Sequence, residues 1–449
     1  MEAAADRPGR ARALHALRSR DFRLLWSGQT ISLVGDGAFL VALGWKSFEL
    51  TGSRSTLALV LLGHSAAMLT TLLIGGALAD RYPRRTLMII SDLARCACMV
   101  VLFAVDVTGN LELWSLIALA VLYGAGDGFF YPAYGGIVPL VVDEHHLASA
   151  NALTGLSRQA AFVVGPAVAG VLYAVAGASS VFALNAVSVV VAAGLRALGR
   201  PRSFERDEPQ GTLKEIADGL RYVLGVPWLW ITIFLASFIL MIAMAPYTAL
   251  LPAFVEEQFD RGVGAYGTLF TLQSVGMAIG SLAFGQTNPT RRRVIIMYVL
   301  FAANDICVIA MTLTHSFGLA CAFVALRGVC IGYGIGVWST LLMQQVPSSK
   351  LARVTSLDFF GSFALIPVGY ALTAAVAGSF SPASLLFVGF ALSAILWIPP
   401  LASRRVRTCA SSSTARSART RRRSRSSAPR RIRRSRATAS CATSWRRAM

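Results

Sequence analysis

Apolar residues along this 449-residue chain gather into twelve long runs separated by short polar gaps. The runs cover about residues 23–48, 56–79, 86–106, 113–138, 148–175, 179–198, 228–252, 263–286, 293–314, 317–342, 353–378 and 382–402, taken here as spans 1 to 12. Their length suits an α-helix crossing a bilayer, which needs about 20 apolar residues. Helices are predicted because in lipid every backbone N–H and C=O must find its partner inside the segment. The short alternating strands of a membrane β-barrel are not visible. The longest hydrophilic gap runs from Gly199 to about Pro227 and divides the spans into six plus six. The expected organisation is a cytoplasmic N-terminal segment (1–22), a six-helix bundle (23–198), a cytoplasmic central loop (199–227), a second six-helix bundle (228–402) and a basic disordered tail (403–449).

Loop charges set the expected orientation. With both termini cytoplasmic, the inner side holds Arg7, Arg10, Arg12, Arg18, Arg20 and Arg23 before span 1, and Arg81, Arg84 and Arg85 after span 2. It also holds Arg200, Arg202, Arg206, Lys214 and Arg221 in the central loop, Arg291, Arg292 and Arg293 after span 8, and Lys350 and Arg353 after span 10. The outer loops hold only Arg54 and Arg261, alongside Glu49, Asp106, Glu112, Glu256, Glu257 and Asp260. That asymmetry independently supports an even number of spans. A bacterial inner-membrane protein with several spans and both ends inside is expected. The first apolar run is too long for the core of a signal peptide and reads as a span that stays.

Composition agrees: 55% of residues are hydrophobic, 14% are charged, and mean hydropathy is +0.60. A soluble chain carries roughly a quarter of its residues charged. The net charge of +20 belongs mostly to the segment from Ser403 to Met449, which holds 16 arginines and no Asp, Glu or Lys. No nucleic-acid partner is therefore expected. Arginine outnumbers lysine 39 to 3, which suggests a GC-rich genome. Such a genome read out of frame yields this Arg/Ser/Ala/Pro mixture, so the tail reads either as a frameshift product or as a genuine basic tail touching anionic lipid. Cys96, Cys98, Cys307, Cys321, Cys330, Cys409 and Cys441 show no metal-ligand spacing, so neither a disulfide framework nor a metal site is expected. Asp143, Glu144, His145 and His146 read as a solvated loop.

The two sets of six spans share a weak repeat. Span 2 ends in Gly75-Gly76-Ala77-Leu78-Ala79-Asp80 before a basic loop, and span 8 ends in Gly280-Ser-Leu-Ala before Arg291-Arg292-Arg293. Spans 4 and 10 are both glycine-dense, and Gly328, Gly332 and Gly336 lie four residues apart on one close-packing face. Spans 5 and 11 each carry a mid-span proline, Pro166 and Pro367.

The strongest motif is Gly76-Ala-Leu78-Ala-Asp80-Arg81-Tyr-Pro83-Arg84-Arg85. The glycines permit close helix packing, and Asp80 suits the positive N-terminus of another helix. The arginines suit the inner face. This segment resembles the signature loop between helices 2 and 3 of the major facilitator superfamily, with Pro83 where that family usually has Gly. The opening Leu17-Arg-Ser-Arg-Asp21-Phe22-Arg23-Leu-Leu-Trp26-Ser-Gly28-Gln29-Thr-Ile-Ser32 is similar to the branch containing enterobactin-type siderophore exporters and macrolide efflux proteins. Gly165-Pro166-Ala-Val-Ala-Gly170 is similar to the Gly-Pro motif of the superfamily's antiporters, although Ala152 and Ala161 stand where further glycines are expected. Span 4 has Leu-Tyr-Gly-Ala-Gly where drug exporters often carry an arginine. The resemblance covers about residues 15–402 and implies an all-α membrane protein, two pseudo-symmetric six-helix bundles that rock about a midplane site. The loop around Gly76, Asp80, Arg81, Arg84 and Arg85 would lock one state.

Ionisable residues inside spans are costly unless they face partners or water. Asp36, Asp127 and Arg327 lie near the middle of spans 1, 4 and 10. The resemblance implies that helices 1, 4, 7 and 10 line a central cavity, so that the three converge there. Asp36 is expected to carry a coupling proton, with Asp127 second and Arg327 as charge partner; a static ion pair that only fixes packing is the other reading. Arg158 would meet an anionic substrate or pair with a buried Asp. Asp92 and Arg95, three apart on span 3, are expected to form a structural pair, and Asp305 is expected to be structural. Tyr123, Tyr333 and Trp338, with Phe39, Phe129, Tyr131 and Tyr247, would suit a large amphipathic substrate. No nucleotide-binding or hydrolase motif appears. The expected function is proton-coupled export of a small organic molecule by a monomer in membrane lipid, with the proton gradient as energy source and no cofactor. Uptake on the same fold, or a transport-inactive sensor or scaffold, are the alternatives.

Overall fold

Helices account for nearly all of what the computed structural model describes, residues 12–79, 81–143, 146–201, 220–287, 289 and 292–399, and no strand occurs among them. Ten helices among these residues are long and apolar enough to cross a membrane. One of them, Ser149–Leu198, runs for 50 residues. At 1.5 Å per residue that is about 75 Å, more than two crossings of a ~30 Å hydrocarbon core. It is broken at Gly177, whose φ of 76° only glycine adopts without strain. With this division and the shorter apolar helix Pro382–Leu396, twelve membrane segments result.

In chain order they are α1 (Arg20–Thr51), α2 (Thr56–Ala79), α3 (Arg84–Val107), α4 (Leu113–Val141), α5 (147–176) and α6 (178–198). The second set is α7 (Trp228–Phe259), α8 (Val263–Thr287), α9 (Arg293–Leu313), α10 (Phe317–Gln345), α11 (Ser348–Phe363 with Ile366–Val376) and α12 (Pro382–Leu396). Two irregularities were not legible beforehand. A π turn at Leu240–Met244 interrupts α7. In α11 the helix breaks just before Pro367, which lacks the N–H that would continue the ladder.

Packing repeats with an offset of six helices. The α2–α4, α3–α4 and α3–α6 contacts of the first half recur as α8–α10, α9–α10 and α9–α12 in the second. Small residues make this possible. A side chain at Gly124 or Gly128 of α4 would strike the backbone of His64 or Met68 on α2. In the same way, one at Gly328 or Gly332 of α10 would strike Gln273 or Met277 on α8.

The halves meet mainly through α5 on α8 and α2 on α11. They are fused at one end only. There a single apolar cluster includes Phe39 and Leu43 of α1, Tyr173 of α5, Leu251 and Phe254 of α7 and Tyr266 of α8. Arg54, after α1, binds Glu257 at the end of α7 through Nε–Oε1 (2.5 Å) and Nη2–Oε2 (2.8 Å), and donates to the Phe380 carbonyl (3.1 Å). At the opposite end the apolar clusters stay within one half. One holds Phe22, Met88, Phe130 and Ile137, another Met297, Tyr298 and Trp397, and a third Leu229 and Leu342. The apolar contacts between the halves are thus concentrated at the end away from the Arg84–Arg85 loop.

Candidate functional site

Helical periodicity lines up the polar interior of the first half. Gln29, Ser32 and Asp36 share one face of α1, and Met88, Asp92, Arg95 and Met99 form a buried stripe on α3. Tyr123, Asp127, Phe130 and Tyr134 do the same on α4, and Asn185, Ser188 and Arg196 on α6. Residues three and four apart stack over one another, so four helices aim these groups at one volume.

Arg95 is the hub. Its Nη2 donates to Asp92 Oδ1 (2.6 Å) and its Nη1 to Asp127 Oδ1 (2.9 Å), while Asp36 Oδ2 lies 3.8 Å from the same Nη1. Its guanidinium also covers the Phe130 ring at 4.6 Å, a cation–π contact. Gly126 leaves the space that the Arg95 side chain fills. Arg196 binds the second oxygen of Asp92 and donates to Gln29 Oε1 (2.7 Å). Tyr123 donates its hydroxyl proton to Asp36 Oδ1 (2.6 Å) and accepts from Asn185 Nδ2 (3.2 Å). His64 Nε2 lies 3.3 Å from Asp127 Oδ2.

Burial grades across the cluster. Asp92, Arg95 and Arg196 are at most 3% exposed, whereas the Asp36 and His64 side chains keep 26% and 23% of their exposure. Three carboxylates face two guanidinium groups, so one negative charge is uncompensated when all are ionised. A buried surplus charge is costly; binding one proton removes it.

The loop after α2 is tied to the same structure. Arg84 donates to the Gly136 carbonyl of α4. Arg85 donates to the carbonyls of Arg196 (3.0 Å) and Ala197, the C-terminal turn of α6, where a cation suits the helix dipole. Arg81 is exposed, and Asp80 lies outside the described residues.

A sequence profile of the Major Facilitator Superfamily matches residues 25–303 and 233–445. The chain belongs to the major facilitator superfamily. Macrolide efflux protein A of Streptococcus pyogenes is 25% identical over 360 residues, covering 79% of this chain and 88% of that protein. Enterobactin exporter EntS of Shigella boydii serotype 18 is 26% identical over 391 residues, covering 84% of this chain and 91% of that protein. Among solved structures, a bacterial homologue of the human lysosomal transporter Spinster, inward-facing and unoccupied, superposes with a TM-score of 0.67 at 13% identity, over 90% of this chain and 98% of that one. As a superfamily member the protein is an all-α, multi-pass membrane transporter and not an enzyme.

Within this transporter several residues sit otherwise than the sequence suggests. Arg327 is not the charge partner of Asp36 and Asp127: Arg95 is, since α3 carries it into the same volume. Arg327 is 1% exposed inside the second half, bonded to Gln273 Oε1, near Met244 Sδ (3.6 Å) and 4.1 Å over the Tyr247 ring, with no ion pair among the described residues. Tyr123, expected in the cavity wall, is 3% exposed and bonded within the cluster. The Asp92–Arg95 pair forms as expected from its spacing, but as part of a five-charge cluster. Gly76 faces open space; its neighbour Gly75 makes the close approach, onto the Gly128 carbonyl. Gly165 lies against the α1 backbone at Val34 and Gly37, and Gly170 faces Gly264 and Gly267 of α8, with Pro166 between them.

Arg158 is exposed and makes no ion pair among the described residues. Tyr333 is half-buried and shares a hydrogen bond with Thr287 (2.7 Å), and Trp338 donates to Asp358 (3.0 Å). Asp305 bonds Ser393 on α12 (2.5 Å) and Trp397 just after it (3.0 Å). No metal-binding group of His, Cys, Asp and Glu occurs among the described residues, and His145 lies outside them. Sequence reasoning missed His64, Gln29, Asn185 and Arg196. The α6 residues had a signal in the spacing 185, 188, 196; a lone His on α2 had none.

Proposed function

We propose that the protein exports a small amphipathic organic molecule across the bacterial inner membrane in exchange for protons, by alternating access. The observation that carries the proton part is Arg95 Nη1, shared between Asp127 at 2.9 Å and Asp36 at 3.8 Å in a cluster with one surplus carboxylate. A proton on Asp36 leaves Arg95 Nη1 wholly to Asp127. Its loss makes Asp36 compete for the same N–H, drawing α1 towards α3. Because Arg85 holds the Arg196 backbone and Arg196 holds Asp92, the charge state is linked to the loop after α2. Asp80 belongs to the same lock in this reading.

Export rests on the efflux relatives and on the end at which the halves share no apolar cluster. The positive-inside distribution supports a cytoplasmic Arg84–Arg85 loop, and in this reading a cleft opens there, on the side where an export substrate loads. Arg158, Tyr131 (41% exposed) and Tyr333 supply a cation and aromatic faces for such a molecule. The closed outer end, with its Gly170–Gly264 and Arg54–Glu257 contacts, is the part that must separate for release.

The test is accumulation of macrolides, catecholate siderophores and fluorescent lipophilic dyes in efflux-deficient cells, at matched membrane expression. Lower accumulation of at least one compound, lost with a protonophore and in Asp36→Asn, is expected. Export by Asp36→Asn equal to wild type would remove Asp36 as proton carrier. Higher accumulation than in vector controls would reverse the direction, and no movement of any compound would favour a sensor or scaffold.

A further inference from the structure

His64 is a titratable member of the charge cluster that the proposed mechanism leaves without a role. It is the only residue of α2 in the cluster, and Gly124 packs directly on its backbone, which fixes where the ring starts. The ring stacks on Tyr123, with centroids 6.2 Å apart and planes at 29°, and reaches Asp127 Oδ2 at 3.3 Å. Tyr123 in turn binds Asp36. Of the groups in the cluster, only His64 and Asp36 keep substantial solvent exposure; Asp127 behind them is 7% exposed.

The charged and titratable surroundings of the ring come from a few helices. Asp36 lies on α1, Asp92 and Arg95 on α3, Asp127 and Tyr123 on α4, and Arg196 on α6. From the other half, α7 brings Tyr247 and α11 brings Tyr370, which packs at Leu57 and Leu61. Neither helix makes an ion pair, hydrogen bond or ring contact with His64 among the described residues.

We propose that His64 is the proton port of this cluster, the group that takes a proton from solvent and holds it against the Asp127 carboxylate. A solvent proton adds to Nδ1 of the ring in its Nε2–H form, and Nε2–H donates to Asp127 Oδ2. The ring gains one proton and one positive charge, which offsets the surplus carboxylate of the cluster. Imidazole suits this because one ring nitrogen accepts a proton while the other keeps its hydrogen bond to the carboxylate. Asp127, paired with the imidazolium, loosens its hold on Arg95 Nη1, which then favours Asp36. His64 thereby couples the protons of the solvent to the partner exchange of Arg95. This inference rests on the reading of the cluster as a proton-coupling site.

The experiment uses the full chain, free of native cysteines, in lipid nanodiscs, with spin labels at the exposed positions Leu73 on α2 and Met343 on α10, one in each half. The ratio of open to closed cleft is read from the label separation between about pH 5 and 8. In wild type the ratio is expected to change by up to about tenfold per pH unit, as linkage to one proton requires. His64→Gln keeps the size and a hydrogen-bond donor but cannot titrate, and its ratio is expected to vary less than about twofold over the range. His64→Arg, permanently charged, is expected to hold near the low-pH value of wild type. A purely structural histidine would change the ratio without flattening its pH dependence. A His64→Gln curve that follows wild type overturns the port, and if Asp36→Asn is flat at the same time the coupling reading survives. A flat His64→Gln with a wild-type Asp36→Asn upholds the port and removes Asp36 instead. A wild type insensitive to pH overturns both. Should the glutamine variant fail to fold, His64→Asn is read by the same criteria.

Discussion

The two halves of this transporter are built alike and filled differently. In each, a glycine on the fourth or tenth helix rests on the backbone of the second or eighth: Gly124 on His64 and Gly328 on Gln273. The residue just before that glycine therefore occupies an equivalent place in the two halves, and it is Tyr123 in one and Arg327 in the other. Tyr123 joins five charges and a histidine. Arg327 has a glutamine, a methionine sulfur and aromatic faces. Small residues repeat because helix contact demands them in both halves. Charges do not, because each buried charge needs its own partners. In the proposed reading the first half is the proton-responsive element and the second its counterpart without a carboxylate cluster.

The largest effect expected from breaking this comparison follows removal of the hub. Arg95→Met strands Asp127 and Asp36, leaves Asp92 to Arg196 alone, and should destabilise the protein by about 3–5 kcal/mol, the usual result of breaking a buried pair. Arg327→Met strands no carboxylate and should cost less than about half of that. Thermal unfolding in detergent measures both; equal losses would mean that Arg327 has an unrecognised anionic partner. Next come the paired glycines. Gly128→Val and Gly332→Val each press a side chain into the backbone of the facing helix, and overpacking costs about 1–3 kcal/mol. Similar losses for both would sharpen the structural equivalence, and a loss confined to one half would break it.

Asp36→Asn should leave the unfolding temperature nearly unchanged, because its hydrogen bond to Tyr123 survives and Arg95 keeps two carboxylates. Proton-driven transport should nevertheless fall at least about tenfold, a loss of ~1.4 kcal/mol of coupling. The smallest effect belongs to the outer clasp. The Arg54–Glu257 pair is one-third exposed, and such pairs contribute at most about 1 kcal/mol. Arg54→Ala should shift the open-to-closed ratio of the outer end by no more than about fivefold, less at high salt. Cysteine-labelling rates at the outer vestibule would show it.

Much of the fold was legible from one end of the chain to the other. The span limits at 56–79, 113–138 and 263–286 lie within a few residues of α2, α4 and α8. Even the join of spans 5 and 6 falls at Gly177, although the helix there is otherwise continuous. The site was legible only in part. Asp36 and Asp127 stood out as charges in apolar runs, and the structure places both within reach of one guanidinium. Sequence points to Arg327 as their partner because a mid-span position in α10 looks like a cavity position, and periodicity does not say which neighbour a face meets. For Arg95 the sequence shows only a local i, i+3 partner in Asp92, since spacing along one helix reports contacts only within that helix.

What the sequence determined by itself was the membrane class, the number of helices, their expected orientation and the division into six plus six. These follow from hydrophobic run length and loop charge, which act locally and need no partner. What only the tertiary structure decided was which charges share a volume: that Arg95 stands between Asp127 and Asp36, that His64 reaches Asp127 from α2, and that Arg327 lies apart. An ion pair is a property of two positions in space. Within the charge cluster those positions come from helices separated by up to 104 residues of chain, as with Arg196 and Asp92, a distance over which no sequence periodicity carries.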